Sequence, residues 1–211
     1  FHLAINTPGG EGRRPEGGSA PLPRHQGISV MARTRAADFK DKQRAILTSA
    51  ASVLADQGID RASMAQIAAG AQVSKALLYH YYPGKDALVF AIIRNHLIAL
   101  DAAIAAADDP ALPAPERLRV LVRTMLETYR DADNEHKVQL GGTPALTELQ
   151  RAEIQSIERR IVRRFAAVLH SVNPALSGDR PLLMPTTMSL FGMMNWAYMW
   201  FREEGPISRP E

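Results

Sequence analysis

The stretch Ser63–Pro83, "SMAQIAAGAQVSKALLYHYYP", holds two helix starts and two helix stops in one short run. Ser63 followed three residues later by Gln66 is a capping box, in which each side chain serves the other residue's backbone N–H. Gly70 closes that helix after barely two turns. Ser74 caps a second short helix, which must end before Pro83 because the residue preceding a proline avoids helical angles. A helix, the four-residue turn "GAQV" and another helix make the helix-turn-helix pattern, whose second member can enter a major groove.

The flanking sequence is helical as well. From Asp38 onward Ile46, Leu47, Ala50, Val53 and Leu54 fall on one face, and Gly58 marks the stop. Gly84 caps a fourth helix, with Asp86 in its positive first turn, running from Lys85 to about Ala107 through Leu88, Ile92, His96 and Leu100. Pro113 and Pro115 introduce a fifth through Leu118, Leu121, Val122, Met125 and Tyr129, and a weaker segment spans His136–Leu140 up to "GGTP". A long helix from about Leu146 to Ser171 carries Ile154, Ile157, Ile161, Phe165 and Leu169 on one side. "NPALSGDRP" breaks it, and a last apolar helix reaches Arg202, with Pro185 in its first turn or at a kink. No valine–isoleucine alternation points to sheet, so the expected fold class is all-α, with a three-helix unit over residues 38–84 and a second helical domain over 85–211.

Residues 1–37 read as a disordered tail, because their glycine- and proline-rich first part cannot bury enough apolar surface to offset its ordering entropy. Met31, opening "MARTRAADFKDKQRAIL", is the expected native start. At the other end "SRPE", Ser208–Glu211, is a helix-opening signal, so the second domain is expected to lack its last helix. No secretory signal is visible, and the apolar run Leu190–Phe201 is too short for a bilayer, which needs about 20 residues. With no cysteine, disulfides, thiolate metal sites and a cysteine nucleophile are excluded. A cytoplasmic protein with no membrane partner is expected.

Charge is unevenly placed. Residues 31–98 carry nine Lys/Arg against five Asp, whereas residues 99–211 carry thirteen against fifteen Asp/Glu. A basic first half is what a polyanion partner selects. On the second helix of the motif, Leu78 and Tyr82 share the inward face, and Lys75, Ala76, Tyr79 and His80 the outward one. The backbone N–H groups after Ser74 can seat a phosphate, and Tyr79, Tyr81 and Lys85 can donate to phosphate oxygens. Base edges fall to Lys75, Ala76, Leu77 and His80.

The segment Gln43–Ile93, with its core "SK-x-x-LYHYY-x-x-K-x-x-L", resembles the DNA-binding domain of the TetR family of bacterial repressors. The resemblance implies an all-helical homodimer that binds a palindromic operator in double-stranded DNA and is released by a small-molecule effector in a C-terminal ligand-binding and dimerisation bundle. It adds Ser63 as a phosphate contact to Lys75, Ala76, Leu77, Tyr79, His80, Tyr81 and Lys85. The family usually has Ser, Asn or Thr where this chain has Gly84, a weaker cap. The ending "FGMMNWAYMWFREEGPIS" further resembles a subgroup in fatty, aromatic or steroid acid catabolism, several members of which respond to acyl-CoA thioesters.

Within the second domain, Met125, Tyr129, Phe165, Asn195 and Trp196 are the expected effector contacts. Met184, Met188, Met193, Met194, Met199, Trp196 and Trp200 on the last helix serve either core and dimer interface or pocket lining. Arg159, Arg160, Arg163 and Arg164 form either a solvated flank or the mouth of an anionic-ligand site, a choice that substitution of Arg160 and Arg163 would settle. His96, His136 and His170 have no second ligand at helical spacing, so no metal and no cofactor are expected. Asp108–Asp109 reads as a helix-end loop, and no nucleophile-elbow, P-loop or dinucleotide motif occurs, so enzymatic activity is not expected. The competing function class is a small-molecule-binding scaffold that does not touch DNA.

Overall fold

The computed structural model describes residues 27–130 and 132–197. The chain divides into a unit of residues 1–38, of which only the opening of the first helix is described, and a unit of residues 39–211 that carries everything below. Eight α-helices follow one another with no strand among the described residues: α1 (Gly27–Gln57), α2 (Met64–Gly70), α3 (Lys75–Tyr81), α4 (Lys85–Ala107), α5 (Ala114–Arg130), α6 (Asp133–Gly142), α7 (Glu148–Val172) and α8 (Leu183–Asn195). Short 3-10 turns at Thr143–Ala145 and Pro174–Ser177 bracket α7. Helix α1 begins at Gly27, ahead of the Asp38 start that its apolar period marks. Residues 27–37 of the expected disordered tail are helical instead, as the start of α1; residues 1–26, the reach of the last helix to Arg202, Met199, Trp200 and the "SRPE" signal lie outside the described residues.

Local chemistry sets the boundaries. Gly58 ends α1 at φ +84°, a left-handed angle that costs any side chain with a Cβ about 1–2 kcal/mol. At α2 the Ser63 hydroxyl accepts the Gln66 N–H at 3.2 Å while Gln66 Oε1 accepts the Ser63 N–H at 2.8 Å. The turn after α2 is a Schellman motif, with Val73 N–H donating to Ala68 O (3.0 Å) and Gln72 N–H to Ala69 O (3.1 Å). Its left-handed residue is Gln72, at φ +54°, not Gly70. Gly70 has a different task. A Cβ there would lie 3.0 Å from Val53 and 3.3 Å from Ser49 Oγ, so the missing side chain lets α2 close on α1. Thr147 and Gln150 form a second capping box, which fixes the start of α7. Pro185 sits in the first turn of α8, where its missing N–H has no intrahelical partner to lose.

The apolar faces pack into one continuous core. Ile46, Ala50 and Leu54 of α1, Ile67 of α2, Leu78 of α3 and Leu88 of α4 are all buried and close the N-terminal three-helix unit. Helix α4 then runs on into the second domain, where Leu97, Leu100 and Ile104 meet Leu121 and Met125 of α5 and Ile154, Ile157, Ile161 and Phe165 of α7. Each fully buried Leu or Ile contributes roughly 1.5–3 kcal/mol. By length and apolarity α4 could cross a membrane, but its apolar face is used up against α5, α6 and α7. Helix α4 thus belongs to both cores.

Candidate nucleic-acid interface and ligand cavity

Helix α3 is only seven residues long and is held from beneath. Leu78 is fully buried and Tyr82 nearly so, while Lys75, Ala76, Tyr79 and His80 face solvent and Leu77 and Tyr81 are half-buried. The outward set is therefore the expected one. Lys75 makes no ion pair or hydrogen bond among the described residues, so its ammonium is available. The Tyr81 ring is clamped against Phe39 of α1, with centroids 4.9 Å apart, and meets His80 edge-on at 5.8 Å. That packing fixes where its hydroxyl points.

Three of the expected phosphate contacts have structural work as well. The Ser74 hydroxyl accepts the Leu77 N–H at 3.1 Å, capping α3, and keeps its own proton for an outside acceptor. The Ser63 hydroxyl donates to Gln66 Oε1 at 2.7 Å, so its proton is engaged within the capping box. Lys85 Nζ donates to the carbonyls of Asp60 (3.0 Å) and Ala62 (3.2 Å), tying the start of α4 to the loop before α2. One ammonium N–H remains, and the positive charge stays beside the N-termini of α2 and α4. Gly84 before it is extended and offers no side-chain cap.

In the second domain a cavity of about 430 Å³ opens among α4, α5, α6, α7 and α8. Met125, Tyr129 and Asn195 line it as expected. Phe165 and Trp196 do not: Phe165 is fully buried behind the wall, its ring edge-on to Phe191 at 5.1 Å, and Trp196 is 59% exposed. The reason is the stripe that α8 presents. Met184, Met188, Phe191 and Asn195 follow one another at helical spacing along the cavity, and Trp196 stands one position off it. The methionines thus divide, with Met194 in the core, Met184 and Met188 on the cavity, and Met193 in solvent.

The arginine flank also divides. Arg160 pairs with Asp101 at 2.9 Å, and Arg164 with Asp108 at 3.2 Å. Asp108 also accepts from Arg117, and that hydrogen bond, then the one from Arg164, hold its carboxyl below the usual carboxylate range. Of the four, Arg159 lines the cavity, so the Arg160 and Arg163 pair would not report on it.

Sequence spacing keeps His96 and His136 apart; the fold joins them. Both are buried, their rings are 5.9 Å apart, and Tyr129 stacks on His136 at 4.0 Å. The Tyr129 hydroxyl donates to Asn195 Oδ1 at 2.9 Å, and His136 Nε2 lies 3.4 Å from the Asn195 carbonyl. Burial, and then the nearby His136, push His96 down to about 4. Burial also lowers His136 and raises Tyr129, the latter helped by the charge of Glu158. Among the described residues no three His, Asp or Glu side chains converge as a metal-ligand set. Nothing in the spacing of His96, Tyr129 and His136 announces the cluster, because it is made by packing three separate helices.

Residues 46–92 match the family of bacterial regulatory proteins of the tetR type, and residues 111–211 match the tetracyclin repressor-like C-terminal domain. The HTH-type transcriptional regulator BetI of Rhizobium meliloti (strain 1021) is 40% identical over 83 residues, which are 39% of this chain and 40% of BetI. The chain spans about half the length of the curated regulators it matches, 40% of one and 56% of the other. Among solved structures, a TetR-family transcriptional regulator from Bordetella parapertussis 12822 superposes with a TM-score of 0.73 at 29% identity, over 78% of this chain and 86% of that one. AibR, solved in complex with isovaleryl coenzyme A and operator DNA, gives a TM-score of 0.70 at 27% identity, over 80% of this chain and 91% of that one. With both halves matched by family models and the fold shared with solved members, the chain belongs to the TetR family of transcriptional regulators.

Proposed function

We propose that this protein is a ligand-responsive transcriptional repressor that binds a palindromic operator as a homodimer through α3 and lets go when a small molecule enters the cavity of the second domain. The observation that carries the reading is the division of α3, with Leu78 and Tyr82 anchoring it and Lys75, Tyr79 and His80 left to face outward. Two copies of such a helix reach one face of a duplex when half-sites lie about one helical turn apart, roughly 34–36 Å, or a multiple of it. The exposed apolar residues away from the cavity, Met193 on α8 and Leu182 and Trp196 at its two caps, support that helix as the dimer face.

Release by an effector is supported by the way α6 is seated. Gln139 of α6 lines the cavity, and less than one turn later Gly142 packs so tightly that a Cβ there would lie 2.8 Å from Val89 and 2.9 Å from Ile93, with Ile59 at 3.5 Å. Val89 and Ile93 belong to α4, and Ile59 to the loop ahead of α2. A shift of α6 toward α4 therefore presses on Val89, Ile93 and Ile59, beside the helix-turn-helix. AibR, which shares this fold, has been solved with an acyl-CoA and its operator, and an acyl-CoA or another fatty or aromatic acid derivative is the effector class favoured here.

A mobility-shift titration against DNA upstream of the protein's own coding region tests the reading. A discrete complex that disperses when effector is added supports it. The absence of any complex with the intact chain refutes it and leaves a ligand-binding scaffold.

A further inference from the structure

Helix α8 sets two thioethers along the cavity wall. Met184 and Met188, four residues apart and so on one face of the helix, both line the cavity, and both also reach solvent, at 48% and 53% exposure. Met125 and Met194 are by contrast sealed in the core. Met193 is more exposed than either but stands off the cavity. Much of the remaining lining is apolar, with Leu97, Leu100, Val162 and Phe191 among it. The chain carries no cysteine, so no thiol of its own competes with these side chains for an oxidant.

A methionine in this position packs against an apolar ligand while its side chain stays open to what is dissolved outside. A hydroperoxide oxidises such a group by two electrons. A sulfur lone pair attacks the terminal peroxide oxygen, and the O–O bond breaks as the S–O bond forms. The peroxide proton stays with the departing oxygen, which leaves as an alcohol, or as water when the oxidant is hydrogen peroxide. The sulfoxide has nearly the shape of the thioether but carries a polar oxygen, which an apolar ligand strips of water and leaves without a hydrogen-bond donor. We propose that Met184 and Met188 are a peroxide-oxidation site built into the cavity wall, and that their sulfoxides exclude apolar effectors and so hold the protein on its operator. The inference rests on the reading of this cavity as the effector site. It gives that site a second input, an oxidant that acts on the ligand's wall and leaves α3 untouched.

Treatment of the intact chain with hydrogen peroxide tests this, with fragment-ion mass spectrometry of each methionine and calorimetric titration of octanoyl-CoA and anilinonaphthalene sulfonate. Met184 and Met188 should gain one oxygen each well before Met125 and Met194. Affinity for both probes should then fall about tenfold or more, the effect of a desolvated polar group left without a partner. It should recover when methionine sulfoxide reductases for the two epimers remove the oxygen. In the Met184→Leu, Met188→Leu double variant the affinity, whatever its starting value, should be the same before and after peroxide, whereas Met193→Leu should lose affinity on treatment as the parent does. Oxidation of both methionines with probe binding unchanged overturns the inference while the cavity reading stands. So does a loss that persists in the double variant, a loss that the reductases do not reverse, or oxidation no faster than that of Met125. No binding of either probe by the untreated protein overturns the cavity reading and the inference together.

Discussion

The reading head and the base of the cavity are built on opposite principles. Under α3 the contacts are apolar and closed: Ile46, Leu54, Ile67, Leu78 and Leu88 are sealed from water, and the helix starts are capped by their own serines. Behind Tyr129 and Gln139 of the cavity wall the buried groups are polar, with the His96 and His136 rings held 5.9 Å apart away from solvent. An apolar anchor holds one geometry over a wide range of conditions. A polar cluster in low dielectric has a free energy that changes with each proton or ligand group brought to it. One region is made to present a surface unchanged, and the other to respond.

That contrast can be broken first at the head. Leu78→Ala should cost about 2–5 kcal/mol, the range for emptying a sealed leucine site, and melting followed by circular dichroism should show one transition lowered as a whole. If the head were a loosely attached satellite, DNA affinity would fall while the main melting transition stayed in place.

Acid should act on the other region. His96 stands at about 4 against an ordinary value of 6.5, so the folded protein keeps it neutral while the unfolded chain takes up the proton first. Stability from this group is complete above pH 6.5 and is lost as pH falls from there toward 4, by roughly 3 kcal/mol at 1.36 kcal/mol per pK unit. His136, also lowered by burial, acts in the same direction. Urea titrations across that window should show the loss, and His96→Leu should flatten the curve. An unchanged curve in the variant would remove His96 from the account.

The smaller effects lie in the motif's backbone. Gln72→Gly relieves a left-handed angle in the Schellman turn and should stabilise by up to about 1 kcal/mol without altering DNA affinity. Gly84→Ser adds the missing cap to α4 in open space and should stabilise by a few tenths of a kcal/mol, readable as a small rise in melting temperature.

The same contrast explains what could be read from the residues alone. The head was legible because its signals are local: Ser63 with Gln66, Ser74, Pro83 and the spacing of Leu78 and Tyr82 set its boundaries and its outward face within a few residues of chain. Gly70 marked the end of α2 correctly, but the left-handed residue of the turn is Gln72, and a small residue near a helix end serves a close approach as readily as a turn. The start of α7 carried a local signal too, Thr147 with Gln150. The cavity was less legible because its wall is made by tertiary packing. Met125, Tyr129 and Asn195 fell on it, but Phe165 and Trp196 share their composition and face elsewhere, and no spacing rule brings His96 of α4 to His136 of α6.

The central claim is that α3 presents Lys75 and Tyr79 to a duplex. Fluorescence anisotropy of a labelled fragment of the protein's own upstream DNA, titrated at several salt concentrations, tests it most directly. The account predicts that log affinity falls linearly with log salt and that Lys75→Ala weakens the specific fragment by about 1–3 kcal/mol relative to scrambled DNA. Salt-insensitive or absent binding by the intact chain, or a Lys75→Ala variant indistinguishable from the parent, would contradict it.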